Sequence, residues 1–298
     1  MLNVCFVIET INDMRPSALP IARRIPWFTL VAAVILFLSV SAIISSIANN
    51  ANLRWDMVGK FLFNARIIDG VKVTLELTVL SMLVAAIIGF ILALAWQSSN
   101  RLLSALTWFY VWIFRGTPLL VQLLFWFNIS LVLPQVTFWT PFSGTISWQT
   151  NDLISGYTAA LLGLIFHEAA YMSEIFRGGF LSVPKGQVEA ALSLGMTRNA
   201  ALRCIVLPQS MRAIIPPATN QLISLLKMTS LVAVIGGGDL LTRAQFIYGS
   251  NFAVIPLLIV VSVWYLALVS IATGIQWYVE RYIGAGSNST QKINISSP

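Results

Sequence analysis

Charge is what this chain has least of. Asp, Glu, Lys and Arg make up 10% of its 298 residues, against about 25% in ordinary soluble domains, and this shortage excludes that class. With one histidine and two cysteines, the chain has too few of the usual zinc donors, so we expect no metal site. The phosphate-cradling pattern GxxxxGK[S/T] is also absent from the sequence. The chain is therefore not expected to bind and hydrolyse ATP by itself.

Apolar residues are abundant, at 57% of the chain. They form six runs that we interpret as membrane-spanning helices, since a helix needs about 20 apolar residues to cross a bilayer. The runs cover residues 27–47, 77–100, 119–133, 156–176, 214–235 and 252–277. The first follows a basic segment, as in a signal peptide, but its apolar core is too long for one. The first thirteen residues look unlike a cytoplasmic tail, and we expect the natural start at Met14.

The basic residues between the runs indicate the orientation. One side, which carries both termini, holds Arg15, Arg23, Arg24, Arg101, Arg115, Arg177, Lys185, Arg198, Arg203, Arg212, Arg281 and Lys292. The other side holds Arg54, Lys60, Arg66 and Arg243. Because Lys and Arg are concentrated in cytoplasmic loops, both termini are expected in the cytoplasm. The net charge of +7 then reflects these loops rather than binding of nucleic acid.

A polar, basic stretch at residues 187–208 separates two apolar runs, and we expect two short helices there. Glu189 is expected in the first turn of the first helix, where its negative charge suits the helix dipole. Gly195 is placed as a left-handed C-terminal cap and Thr197 as the N-cap of the second helix. Pro208 is expected to end that helix. The predicted element is a helix pair bent at Gly195.

The spacing of this stretch resembles the EAA loop of the permease subunits of ATP-binding-cassette (ABC) importers. The residues that we assign to coupling on this resemblance are Glu189, Ala190, Ala191, Gly195, Ile205, Leu207 and Pro208. The resemblance implies that residues 184–210 lie in a groove of a cytoplasmic ATPase and transmit its motion. The alternative is an amphipathic helix resting on the lipid surface, which the completeness of the motif disfavours.

Three further segments resemble one branch of these subunits, the polar amino acid permeases of histidine, glutamine or arginine type. They are residues 114–122 (FRGTPLLVQ), 169–179 (AAYMSEIFRGG) and 216–221 (PPATNQ). The resemblance covers residues 68–281. It implies an all-α membrane protein with the type I ABC-importer transmembrane fold, in which one extra helix at 27–48 precedes a five-helix core, giving six spans. Residues 1–26 would then be a cytoplasmic segment and residues 282–298 a disordered cytoplasmic tail.

Polar residues inside the predicted spans are candidates for the substrate pathway, because ionisable groups are costly in a membrane and are usually functional. The candidates are His167, Glu168, Tyr171, Asn220, Gln221, Ser224, Lys227 and Thr229. Glu168 either faces a substrate ammonium in a central cavity or pairs with a neighbouring helix, a backbone group or a partner permease. Lys227 needs a partner or water, which Met228 cannot supply. The uncharged candidates either line the passage or bond between helices. We also expect an ion pair between Glu174 and Arg177, three residues apart.

The resemblance also implies a location and partners. The chain is expected in the bacterial inner membrane beside a second permease subunit, identical or paralogous. Two ABC ATPase subunits would hold the ATP and Mg²⁺, and a periplasmic or lipid-anchored binding protein would deliver the amino acid. No cofactor and no nucleic acid are expected on this chain. Translocation would then follow alternating access between two conformations.

Two other classes fit the sequence less well. A secondary transporter or channel for small polar solutes often has more spans and inverted repeats, which we do not find in the sequence. Such a protein would also have no use for an ATPase-docking loop. A membrane-embedded enzyme would need a convergent set of catalytic groups, and the scattered acids and one histidine do not supply it.

Overall fold

The computed structural model describes residues 27–50, 53–140 and 144–291, and most of them are helical. The helices are α1 (Trp27–Ala48), α2 (Trp55–Leu62), α3 (Ala65–Trp96), α4 (Arg101–Gly116), α5 (Leu119–Phe127), α6 (Thr150–Leu153), α7 (Gly156–Leu181), α8 (Lys185–Ser193), α9 (Arg198–Ala201), α10 (Leu207–Met228), α11 (Leu240–Asn251) and α12 (Val254–Gln291). Short 3₁₀ segments cover Ile129–Leu131 and Thr229–Ile235, and a π-helical segment covers Leu202–Val206. The predicted N-terminal segment 1–26, with Met14, lies outside the described residues.

The chain divides into two compact units, residues 1–53 and 54–298. The described part of the first unit is chiefly α1, which has 22 residues, none of them charged. Its range coincides with the extra helix predicted at 27–48. Every residue of α1 is exposed, which suits a helix whose apolar side chains are solvated by lipid rather than by water.

Within the described residues, five helical segments are long and apolar enough to span a membrane, and the number rises to six if one bent pair counts as a span. That pair is α4 and α5, whose axes differ by 101°. The prediction of a simple span at 119–133 is therefore wrong, because α5 has only nine residues. The break lies at Thr117 and Pro118, which both have extended backbone angles. A residue before proline is pushed out of the helical region by the proline ring.

The Gln122 side chain holds this bend together. Its Nε2 donates to the carbonyl oxygens of Phe114 and Thr117, at 3.0 and 3.1 Å, and lies 2.8 Å from the Thr117 hydroxyl. These contacts satisfy carbonyls that the end of α4 leaves without helical partners. The bend is thus stabilised by specific hydrogen bonds and is not a frayed helix end.

A β-hairpin follows the bent pair and was not predicted. Strands β1 (Gln135–Thr140) and β2 (Gly144–Gln149) pair antiparallel, with Gln135 opposite Gln149 and Thr140 opposite Gly144. The segment is rich in Thr, Val, Ile, Phe and Trp, residue types that favour strands. The protein is therefore helical in its spans but not throughout.

Helices α3 and α7 form the centre of the second unit. A Cβ atom added to Gly89 in α3 would lie 2.7 Å from the Cβ of Met172 and 2.9 Å from the nitrogen of Ser173 in α7. Only glycine permits so close a contact between the two backbones. Next to this contact, the Phe90 ring packs edge-to-face against the rings of Phe176 and Phe180, with centroids 5.5 and 6.0 Å apart.

The last helix is longer than the sequence indicated. We expected a disordered tail from residue 282, but α12 continues to Gln291. The sequence from Arg281 to Gln291 contains no proline that would break the helix, and its two glycines only weaken it. The remaining predicted tail, residues 292–298, lies outside the described residues.

Candidate functional site

The polar stretch around Gly195 forms the predicted bent helix pair. Gly195 follows α8 with a φ of 82°, and the backbone N–H of Met196 donates to the Ala191 carbonyl at 3.1 Å. This is the left-handed glycine cap that the sequence predicted. At the start of α9, the Thr197 hydroxyl accepts from the Ala200 N–H at 3.2 Å, which confirms the predicted N-cap.

Two details of the predicted pair are wrong. Glu189 is the fifth residue of α8 and not in its first turn, because the helix begins at Lys185. Pro208 does not end the second helix: it lies at the start of α10, which continues to Met228. A proline ring normally clashes with the carbonyl four residues earlier. The wider π-helical turn directly before Pro208 relieves that clash, and the helix runs on.

The helix pair has a packed face and an uncovered face. Ala191 and Val206 are buried, and Val206 packs in a cluster with Phe180 and Val183. Glu189, Ala190, Leu194 and Gly195 are exposed, as is Pro208, while Ile205 and Leu207 are half-buried. Leu194 is 85% exposed, although it is an apolar side chain at the tip of the pair. The coupling residues predicted from the sequence are thus mostly on the uncovered face, with Ala191 on the packed one.

A cluster of charges connects α4 and α7. Glu174 pairs with Arg177, with 2.7 Å from Nη2 to Oε2, which confirms the predicted ion pair. Its other oxygen lies 3.3 Å from Nη1 of Arg115. The Arg115 guanidinium stacks over the Tyr171 ring, and that of Arg177 over the Trp96 ring, each at 5.2 Å. From the sequence, Arg115 was placed only on the cytoplasmic side, and its contact with Glu174 was missed.

A cavity of about 410 Å³ opens beside this cluster, between α4, α7 and α10. Tyr171, Asn220 and Gln221, which were predicted to line the substrate pathway, lie in its wall. Arg115 and Glu174 line it as well and were not predicted to do so. The cavity therefore combines charged groups on one side with two amides on the other.

Glu168 and His167 lie behind the cavity wall. Glu168 is fully buried, and its Oε2 accepts from Gln221 Nε2 at 3.2 Å. Of the two alternatives for Glu168, the structure has the one that pairs it with a neighbouring helix, α10. Its Oε1 has no hydrogen-bond partner within the described part of the chain. His167 is buried, with its ring 5.0 Å from that of Tyr171.

The remaining pathway candidates follow α10 towards its C-terminal end. Asn220, Ser224 and Lys227 are spaced by four and three residues, so they share one side of the helix. Ser224 donates to the Asn220 carbonyl, and Lys227 is exposed and makes no ion pair with any residue that the structure describes. Thr229 differs: it is fully buried, and its hydroxyl donates to the Leu226 carbonyl. Thr229 therefore does not share the side of α10 that carries Asn220, Ser224 and Lys227.

A second polar cluster lies at the opposite end of α7. Asp239 caps α11, with its carboxylate accepting from the N–H groups of Leu241 and Thr242 and from the Thr242 hydroxyl. Thr74 of α3 accepts from the Leu240 N–H at 3.0 Å. Burial raises the pKa of the Asp239 carboxyl, and the hydrogen bonds oppose that rise. No signal in the sequence paired Thr74 with residue 240.

The bent helix pair, the long apolar helices and the cavity between α4, α7 and α10 are the features of a multi-pass membrane transport protein. The chain belongs to the family described as "binding-protein-dependent transport system inner membrane component", whose sequence model matches residues 85–284. The predicted type I importer fold is confirmed. An amino acid ABC transporter crystallised with histidines has a chain that superposes with a TM-score of 0.64 at 30% identity, over 74% of this chain and 95% of that one.

Individual relatives carry more specific names. The arginine transport system permease protein ArgU of Corynebacterium glutamicum is 40% identical over 262 residues, 87% of this chain and 81% of ArgU. The histidine/lysine/arginine/ornithine transport system permease protein HisQ of Escherichia coli is 34% identical over 75% of this chain and 96% of HisQ. A chain of the MetNI methionine ABC transporter, at 20% identity and a TM-score of 0.56, shares the fold.

Proposed function

We propose that this chain is the translocation subunit of an ATP-driven importer that carries polar amino acids across the bacterial inner membrane. One observation carries the proposal: a permease named for arginine transport is 40% identical over 87% of this chain. The relative named for histidine, lysine, arginine and ornithine points to the same class of solute. Arginine and its cationic relatives are therefore the first substrates to test.

The uncovered face of the helix pair around Gly195 is the proposed contact with the ATPase. A leucine that is 85% exposed at the tip of a polar loop is costly in water, and a partner's groove would remove that cost. ATP and Mg²⁺ would bind to the ATPase subunits and not to this chain. Two permease subunits, identical or paralogous, would pair with two ATPases, and a binding protein would deliver the amino acid from outside.

Helix α10 is the proposed link between the ATPase and the passage. It follows α9 and the π-helical segment without an intervening loop, and its residues Asn220 and Gln221 line the cavity. Movement of the helix pair would therefore change the cavity wall directly. The permease would supply two conformations whose populations nucleotide binding shifts.

An uptake assay tests the function. The chain is reconstituted in proteoliposomes with its partner ATPase and binding protein, and labelled arginine, lysine, histidine, glutamine, glutamate and leucine are compared with ATP inside. We expect ATP-dependent uptake of the cationic amino acids and glutamine and none of leucine. Uptake that persists without ATP, or that is absent for every amino acid, contradicts the proposal.

A crosslinking experiment tests the coupling surface. Cys204 is exposed, so Cys5 and Cys204 are first replaced by serine, and a single cysteine is then placed at Leu194 or at Phe252. The two positions are equally exposed, at 85% and 86%, but Phe252 lies at the C-terminal end of α11, the helix that Asp239 caps at its other end. We expect a bifunctional reagent to capture the ATPase from Leu194→Cys and not from Phe252→Cys. Equal capture from both positions, or from neither, would remove the docking role.

A further inference from the structure

We propose that Arg115 recognises the carboxylate of the transported amino acid inside the cavity between α4, α7 and α10. The inference rests on the proposed function. It adds the residue that binds the α-carboxylate, which all amino acids share. It stands on three observations: the unequal pairing of charges around Glu174, the fixed plane of the Arg115 guanidinium, and the amides on the facing wall.

The charges around the cavity leave Arg115 incompletely neutralised. Glu174 is the one carboxylate among the described residues that line the cavity, and two arginines share it. Arg177 makes the closer contacts, at 2.7 and 2.8 Å, whereas Arg115 lies 3.3 Å away. Three charges thus sum to one excess positive charge, and Arg115 is the arginine that borders the cavity. A second carboxylate at this place would balance the cluster.

The guanidinium of Arg115 is held in a defined plane. The Tyr171 ring supports its face at 5.2 Å and Glu174 contacts one of its nitrogens. The side chain is nevertheless 43% exposed, so other N–H groups remain available. A planar guanidinium with two free N–H groups matches the two oxygens of a carboxylate, and a fixed plane lowers the entropy that binding costs.

The facing wall offers acceptors for an ammonium group. Gln221 donates its Nε2 to the buried Glu168, which leaves its carbonyl oxygen to accept from another donor. Asn220, the next cavity residue, is exposed and has the same amide chemistry. Glu168 thus acts as a positioning residue for Gln221. The volume of about 410 Å³ falls within the usual range of about 300–1,000 Å³ for small-ligand sites.

Direct binding to the purified permease–ATPase complex, without the binding protein, tests this assignment. Labelled L-arginine and L-argininamide, which lacks the carboxylate, are titrated against the wild type and against R115Q, R115K and R177Q. Arg177 is the matched control, because it pairs with the same Glu174 but does not line the cavity. Elution as a monodisperse complex and an unchanged melting temperature show that each variant is folded.

We expect the Kd for arginine to rise about tenfold in R115Q, as for loss of one charged hydrogen-bonded contact. It should rise less in R115K and stay within about twofold of the wild type in R177Q. Argininamide should bind about tenfold more weakly than arginine to the wild type, a comparison that needs no variant to fold. Equal affinities of the wild type for arginine and its amide, or equal losses in R115Q and R177Q, would overturn the assignment. Uptake assays on the same wild-type complex separate the two proposals. If the complex transports amino acids but the binding experiment gives either of these results, only the Arg115 role is rejected. If the complex transports no amino acid at all, both proposals are rejected.

Discussion

The two ends of α7 lie in opposite kinds of surroundings. At its N-terminal end, a Cβ added to Gly156 would lie 2.8 Å from the Ile235 carbonyl oxygen, and the polar groups of the Asp239 cluster bond to one another. Towards its C-terminal end, Glu174 and Arg115 border open cavities, and Gly195, after the next helix, has nothing within 4 Å of a Cβ added to it. At the N-terminal end the polar groups are paired with one another within the protein, whereas at the C-terminal end charged groups and open space remain. We therefore expect substitutions at the first end to affect stability and substitutions at the second to affect transport.

The largest expected effect is on stability, at the Asp239 end. A Cβ at Gly70 would lie 2.8 Å from the Cα of Leu240 and 2.9 Å from Cγ of Arg243, so Gly70→Leu should separate α3 from α11. We expect a loss of about 3 kcal/mol in the free energy of unfolding, the upper part of the range for overpacking, measured by thermal denaturation in detergent. Gly59→Leu, at a position with nothing within 4 Å, is the control. Equal stability of the two variants would contradict the packing described here.

Next in size is the effect of Glu174→Gln on transport. The change removes the acid that both Arg115 and Arg177 contact, so kcat/KM for uptake should fall about tenfold, equivalent to about 1.4 kcal/mol. Unfolding should change by less than about 1 kcal/mol, since these ion pairs are partly exposed. Asp69→Asn breaks an exposed i,i+3 pair with Lys72 at the other end of the molecule and should leave uptake unchanged. A similar loss in both variants would mean that the position of the charge does not matter.

Gly195→Val should affect coupling more than folding. The φ of 82° costs a β-branched residue about 1–2 kcal/mol, a strain that straightening the turn relieves. We expect ATP hydrolysis to continue while uptake is lost, measured on the same proteoliposomes. Gly249→Val, in open space and without a positive φ, should keep both activities. Normal uptake by Gly195→Val would show that the bend is not needed.

The smallest effect is expected at Asp239. Asp239→Ala removes the cap of α11 and should cost about 1 kcal/mol, whereas Asp239→Asn keeps an N-cap and should cost only a few tenths. Because burial raises the pKa of Asp239, the folded state holds its proton more tightly than the unfolded state. The resulting stabilisation is greatest in acid and is lost as pH rises through the raised pKa. Melting curves over pH should show this slope in the wild type and not in Asp239→Asn.

Local signals in the sequence predicted the local structure well. Apolar runs indicated the spans other than 119–133, Gly195 and Thr197 were identified as caps, and Glu174 with Arg177 as an ion pair, because each depends on residues a few positions apart. The motif resemblance then gave the family and the fold. Pro208 was misread because the π-helical turn that accommodates it has no sequence signature that we recognised.

The cavity could not be predicted, because it is formed by contacts between helices that a single sequence does not reveal. Arg115 meets Glu174 from a different helix, and Leu240 donates to Thr74 across 166 positions. For Glu168 the sequence left two alternatives open, the central cavity or a pairing with a neighbouring group, and only the structure shows the pairing with Gln221. Burial and pairing between helices arise from packing, which hydropathy alone does not specify.

The helical path from Arg198 to Ile235 has a mechanical consequence. Its 38 residues measure about 57 Å at 1.5 Å per residue, so under the proposed docking the segment would act as a lever between the ATPase and the membrane. Pro216 and Pro217 lie inside it, where missing N–H donors soften a helix, and they mark the natural fulcrum. Asn220 lies about 5 Å beyond these prolines at 1.5 Å per residue, so a bend of about 20° there would shift it by about 2 Å along the cavity wall.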